Sequence, residues 1–131
     1  MIRHIKYPSL VKSVGTMDKE IYEYFGRVNS DTDGKKPRFH DRIFNEVSIA
    51  HMKSPQGWIE PIQTPKFNEY TVVLKGTLKV ENEDRVFLVK EGEAILTEKD
   101  ESVQYSTPFE GGAEYIAVCL PAFSPYLVNR K

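Results

Sequence analysis

The sequence predicts an all-β fold, an antiparallel barrel or sandwich preceded by one short helix, and two observations predict it. From Val47 onward, about eight short segments rich in Val, Ile, Tyr and Thr follow one another, and turn residues separate nearly every pair. β-branched and aromatic side chains suit a pleated, half-buried surface, whereas Pro55-Gln56-Gly57, Lys75-Gly76, Asn82-Glu83-Asp84, Glu91-Gly92 and Glu110-Gly111-Gly112 supply the backbone freedom that tight turns need. A chain of 131 residues suits one domain and is long enough to bury a core.

Taken in order, Thr16 to Phe25 predicts the single helix. Met17, Ile21, Tyr24 and Phe25 share one helical face, Asp18 and Glu20 stand near the start, Thr16 can cap it and Gly26 can end it. Asn29 to Pro37 is rich in Asp, Gly, Lys and Ser and predicts a solvated loop. The strands follow at Val47–Met52, Trp58–Gln63, Tyr70–Leu74, Thr77–Val80, Val86–Val89, Ala94–Leu96, Val103–Tyr105 and Tyr115–Leu120. Residues 1–45, carrying the helix over 16–25 and the loop over 29–37, are therefore expected to form an extension packed on the barrel of residues 46–131.

Composition narrows the partners. Hydrophobic residues at 40% and charged residues at 28% are ordinary for a globular protein. The 18 basic residues are matched by 19 acidic ones and spread along the chain, which argues against a nucleic-acid surface. No apolar run is long enough to span a bilayer, and the start Met1-Ile2-Arg3-His4-Ile5-Lys6 lacks a signal sequence's apolar stretch, so a cytoplasmic protein without membrane contact is expected. Cys119 is the one cysteine; it cannot form an internal disulfide and reads as part of a core strand.

Spacing then points further. From Gly57 to Gly76 the chain resembles the first conserved motif of the cupin family: glycine, five residues, His-x-His, three residues, glutamate, six residues, glycine. Gly57, Glu69 and Gly76 match in register, but Gln63 and Pro65 hold the histidine positions. Gly92 begins something similar to the second motif, whose proline, glycine, histidine and asparagine positions here carry Glu98, Asp100, Val103 and Thr107, followed by Pro108. The ending Leu120-Pro121-Ala122-Phe123-Ser124-Pro125 is similar to the exit of many single-domain cupins, and Glu69-Tyr70-Thr71-Val72-Val73-Leu74-Lys75-Gly76 resembles the corresponding strand of the small ethanolamine-utilization cupins. The resemblance implies a cupin-type antiparallel β-barrel, a double-stranded β-helix or jelly roll. It also implies that a typical member would hold a divalent transition metal with three imidazoles and a carboxylate. Of that set only Glu69 remains, so no cofactor is expected. A metal, if bound, would have to use Gln63 and Glu69 with help from His51 or Gln104, an oxygen-rich set suited to harder ions.

Alternation along strands, with the family comparison, turns Gln63, Glu69, Thr71, Tyr105 and Thr107 toward the barrel interior, a lining suited to a small polar ligand such as a sugar or organic acid. Glu60, of opposite parity to Gln63, is expected to face solvent, and His51 to be a partly buried, hydrogen-bonded strand residue. A second reading is an isomerase, epimerase, lyase or dioxygenase type of enzyme with Glu69 as general acid or base and Tyr105 as proton donor; a third is an interaction module. A homodimer is expected, with Trp58, Phe67 and the N-terminal strand as its apolar material.

Overall fold

A computed structural model describes residues 2–13, 18–26 and 45–130. Among the described residues the chain forms β1 (Ser9–Val11), β2 (Glu20–Phe25), β3 (Ser48–Ser54), β4 (Trp58–Ile59), β5 (Asn68–Glu81), β6 (Val86–Lys90), β7 (Ala94–Thr97), β8 (Gln104–Thr107), β9 (Ala113–Leu120) and a short helix α1 (Pro125–Val128). All pairings are antiparallel, in the order β1-β2-β3-β9-β5-β8-β4, with β6 and β7 also paired to β5. The described part of the expected N-terminal extension thus continues the same sheet.

The long β5 curls the sheet. Its first half, through Gly76, pairs with β9 and β7, and Thr77–Glu81 pairs with β6 and β8. The sequence reading placed two strands here with a turn at Lys75-Gly76; the structure corrects this to one strand of 14 residues that bends without breaking. The register with β9 shifts between Val73 and Lys75, which puts a bulge at Leu74, and Gly76 just beyond it has φ 75°, a conformation that lets the strand bend without ending. A Cβ at Gly76 would lie 2.1 Å from the Gly112 carbonyl oxygen, which only glycine permits.

The helix expected over 16–25 is also corrected. Residues 14–17 lie outside the described residues, and Glu20–Phe25 is strand β2, paired with β3 from Glu20 opposite Lys53 to Phe25 opposite Ile49. Ile, Tyr and Phe favour strands, and Glu20-Ile21-Tyr22-Glu23-Tyr24-Phe25 also reads with period two; a waiting sheet edge decides between two periodicities that one segment can satisfy. The loop expected over 29–37 lies outside the described residues.

Trp58, Val73, Leu78, Val80, Val89, Val103, Tyr105, Ala113 and Tyr115 pack as one core, and fully burying a Val or Leu contributes about 1.5–3 kcal/mol. Phe67, Cys119 and Val128 form a second cluster under α1, with Phe67 and Phe123 edge to face at 5.7 Å. α1 begins where Ser124 accepts from the Tyr126 backbone N–H with Pro125 at the first turn, and it ends at Asn129 in the left-handed conformation. Trp58 and Phe67, each 1% exposed, are core residues and cannot serve as apolar dimer surface. No described helix is long and apolar enough to cross a membrane.

Candidate functional site

The barrel is not packed solid. The inward positions of β3 and β9 are small along one stretch, Ser48 and Ala50 facing Ala117 and Cys119, and the space they leave forms a cavity of about 140 Å³. Met52, Tyr115 and Tyr105 contribute larger side chains to its wall, and Glu23, Glu60, Gln63, Glu69, Lys19 and Arg130 bring polar groups to it. The interior is therefore a charged chamber in an apolar shell.

Three of the five residues expected to bind a ligand meet there: Gln63, Glu69 and Tyr105. Thr71 and Thr107 point inward but are packed away from the cavity, at 1% and 0% exposure; the Thr107 hydroxyl donates to the Pro55 carbonyl at 2.7 Å and so anchors a turn. Thr71 Oγ1 is buried beside Glu69 with no well-formed hydrogen bond.

Glu69 lies on β5 opposite Cys119 of β9, with protein on all sides except where its half-buried carboxyl meets the cavity. Burial is the main force on it, and Glu60 adds to the push; Lys19, the Cys119 thiol and Thr71 pull the other way, leaving its pKa at about 7. Near neutral pH this carboxyl is divided between its acid and its anion. Burial holds the Tyr105 phenol well above its ordinary value, with Glu69 adding to it, and its oxygen shares a hydrogen bond of 2.6 Å with Thr97 Oγ1. Burial and then Glu69 likewise keep Cys119 a thiol.

The sequence reading sent Glu60 to solvent; the structure corrects this. Glu60 is 8% exposed, lines the cavity, and accepts from Gln63 Nε2 at 2.5 Å, so Gln63 spends its amide on Glu60 rather than on Glu69. The parity argument failed because β4 stops at Ile59 and Pro61 interrupts the strand, so alternation does not carry from 58 to 63. Pro61 was the available warning. Burial raises the pKa of Glu60, and Lys19 and Arg130 offset part of that rise.

No motif or periodicity singles out Lys19. It follows the undescribed residues 14–17 and enters just before β2, with its ammonium 4.1 Å from the Trp58 ring centroid, 5.8 Å from that of Tyr115 and 3.5 Å from Met52 Sδ. Burial alone would lower its pKa, but Tyr115, Glu60 and Glu69 outweigh it and hold the ammonium above its ordinary value. Arg130 reaches the cavity from the far end of the chain, beside the backbone bridge it makes with Gln63.

These donors do not fit the metal that the motif resemblance brings to mind. Pro65 and Val103 offer no ligating atom, Gln63 is committed to Glu60, and a cation held by Glu60 and Glu69 would confront the Lys19 ammonium. Neither expected helper is at hand. His51 alternates with Ser48, Ala50 and Met52 to the outer face of β3, where Nε2 meets Glu114 at 2.7 Å, and Gln104 donates to the Glu60 carbonyl at 3.0 Å from outside the cavity lining. Among the described residues no three His, Cys, Asp or Glu side chains gather as a metal-holding group.

Solved structures with the same architecture include cupins. An RmlC-like cupin family protein with a double-stranded β-helix fold from Methanocaldococcus jannaschii is 20% identical, with 60% of this chain and 72% of that one covered at a TM-score of 0.56. Oxalate decarboxylase from Bacillus subtilis is 17% identical over 96% of this chain and 30% of its own, TM-score 0.68, and the EutQ protein of Clostridium difficile 21% identical over 79% and 64%, TM-score 0.56. No protein-family model matches the chain. In sequence, 113 residues are 34% identical to a protein of Myxococcus xanthus strain DK1622 named endoribonuclease YbeY; they make up 86% of this chain, which spans about a third (34%) of that relative's length.

Proposed function

We propose that this chain, whose fold is that of the cupins, binds a small polar molecule inside its barrel through a charged chamber in which side-chain ions stand where the fold's imidazoles would. The convergence of Glu60, Gln63, Glu69, Tyr105 and Lys19 on one cavity supports the reading. Such groups are costly to bury without a task, because each loses its hydration and gains only part of it back from neighbours. At about 30 Å³ per water, 140 Å³ holds on the order of five water-sized groups, which favours a compact molecule over a bulky one.

A thermal-shift screen of the whole protein against small organic acids, polyols and monosaccharides tests this. At least one compact class is expected to raise the melting temperature in a saturable way, and the rise to disappear in Glu60→Ala. A screen in which no polar compound stabilises the protein overturns the proposal.

A carboxyl with a pKa of about 7 on a ligand-sized cavity also favours a second reading, catalysis by Glu69 as general acid or base. It requires turnover of a bound compound that Glu69→Gln abolishes while binding persists. The endoribonuclease name of the Myxococcus relative lends less support, since 18 basic and 19 acidic residues give this chain no electrostatic surplus for a polyanion.

A further inference from the structure

Resting on the binding reading above, the unmet hydrogen-bonding groups of the chamber narrow the ligand's class. Lys19 Nζ has three N–H donors; its neighbours are the Met52 sulfur, the Trp58 ring and the Tyr115 side chain, and Glu60 and Glu69 act on it across the chamber without an ion pair to a described carboxylate. Arg130 Nε is buried with no hydrogen-bond partner. Glu60, in contrast, is served by Gln63 and lies in the field of both cations. What the chamber leaves unmet is a hydrogen-bonding oxygen close to Lys19 and to Arg130 Nε, and a partner for Glu69 stronger than the Cys119 thiol and Thr71.

We propose that the chamber is built for a small monocarboxylate, whose carboxylate takes hydrogen bonds from Lys19 and Arg130 and from the protonated carboxyl of Glu69. A neutral diol would bring no charge to Lys19 and Arg130, which face the Glu60 carboxylate between them once Glu69 is protonated. An amine would meet the Lys19 ammonium. A carboxylate satisfies both cations, provided Glu69 offers a proton and not a second negative charge. Burial and the neighbouring Glu60 already hold that proton to about pH 7, against Lys19, the Cys119 thiol and Thr71. Tyr105, Tyr115 and Cys119, which are coupled to Glu69, are themselves kept protonated, and Glu23 of β2 and Lys12 are the remaining charged side chains of the chamber wall. Binding is therefore coupled to protonation of Glu69: the competent form is lost as pH rises through 7, so affinity falls with rising pH.

Isothermal titration of the whole protein with L-lactate and with propane-1,2-diol, a neutral molecule of nearly the same shape, tests the proposal at pH 6 and pH 8.5. Lactate is expected to bind and the diol not, and lactate affinity to drop about thirtyfold between the two pH values, as linkage to one proton requires. Glu69→Gln keeps an N–H donor at every pH, so its lactate affinity is expected to change little across this range and to exceed that of the natural protein at pH 8.5. Arg130→Gln and Lys19→Met are each expected to weaken lactate binding about tenfold or more. Should Lys19→Met unfold, Arg130→Gln and the pH profile of Glu69→Gln decide alone. Diol binding as tight as lactate's, or a lactate affinity flat with pH in the natural protein, overturns the carboxylate assignment but leaves a polar-ligand chamber standing. Failure of every compound, including those of the thermal-shift screen, removes both.

Discussion

Glu69 is the residue whose surroundings decide the most. Its carboxyl titrates near 4.5 when unfolded and at about 7 in the barrel, so over that window the folded protein keeps a proton that the unfolded chain releases. The contribution of this group to stability therefore falls as pH rises from 4.5 to 7, and above 7 the cost is complete, roughly 3 kcal/mol at most. Glu69→Gln removes the titration. Urea unfolding of the two proteins is expected to show the variant gaining on the natural protein steadily between pH 4.5 and 7.5; a difference independent of pH would contradict the placement of Glu69. At this scale the sequence was informative where a side chain had a motif or a strand to fix its direction: Gln63, Glu69 and Tyr105 all reach the chamber as expected. It was silent on Lys19 and Arg130, because both arrive from the ends of the chain, where neither spacing nor periodicity ties them to the centre.

Among the elements, β5 holds the fold together, running through both halves of the sheet across the bend at Gly76. Gly76→Ala forces a methyl group against the Gly112 carbonyl oxygen and an unfavourable left-handed backbone on alanine. A loss on the order of 2–4 kcal/mol is expected in chemical denaturation, against a small effect for Gly92→Ala, whose Cβ would meet no neighbouring atom although its φ of 81° still carries a backbone penalty. The elements the sequence misassigned share one physical cause. Glu20–Phe25 can satisfy a helical or a strand period, and Lys75-Gly76 can end a strand or bend one; in each case the answer lies with a partner distant in the chain, β3 for the first and β9 for the second. Local propensity cannot see such partners.

For the whole molecule, alternating apolar segments with turn punctuation were enough to anticipate an all-β barrel, and the spacing of Gly57, Glu69 and Gly76 was enough to anticipate which one. Gln63, Pro65 and Val103 stand at the positions where the motif resemblance expects imidazoles. What lines the interior was not legible: an ammonium on an aromatic floor, a guanidinium and two carboxyls, assembled from residues 19 to 130 only when the sheet closes. On the proposed reading, this internal set of charges, and not a coordinated ion, equips the barrel to hold its ligand. Elemental analysis of the protein purified without chelators tests it most directly. Transition metal well below one equivalent per chain, with ligand binding undiminished after exhaustive dialysis against a chelator, is the expected result; one equivalent of iron, manganese, nickel, copper or zinc, lost together with binding in Glu69→Ala, would contradict it.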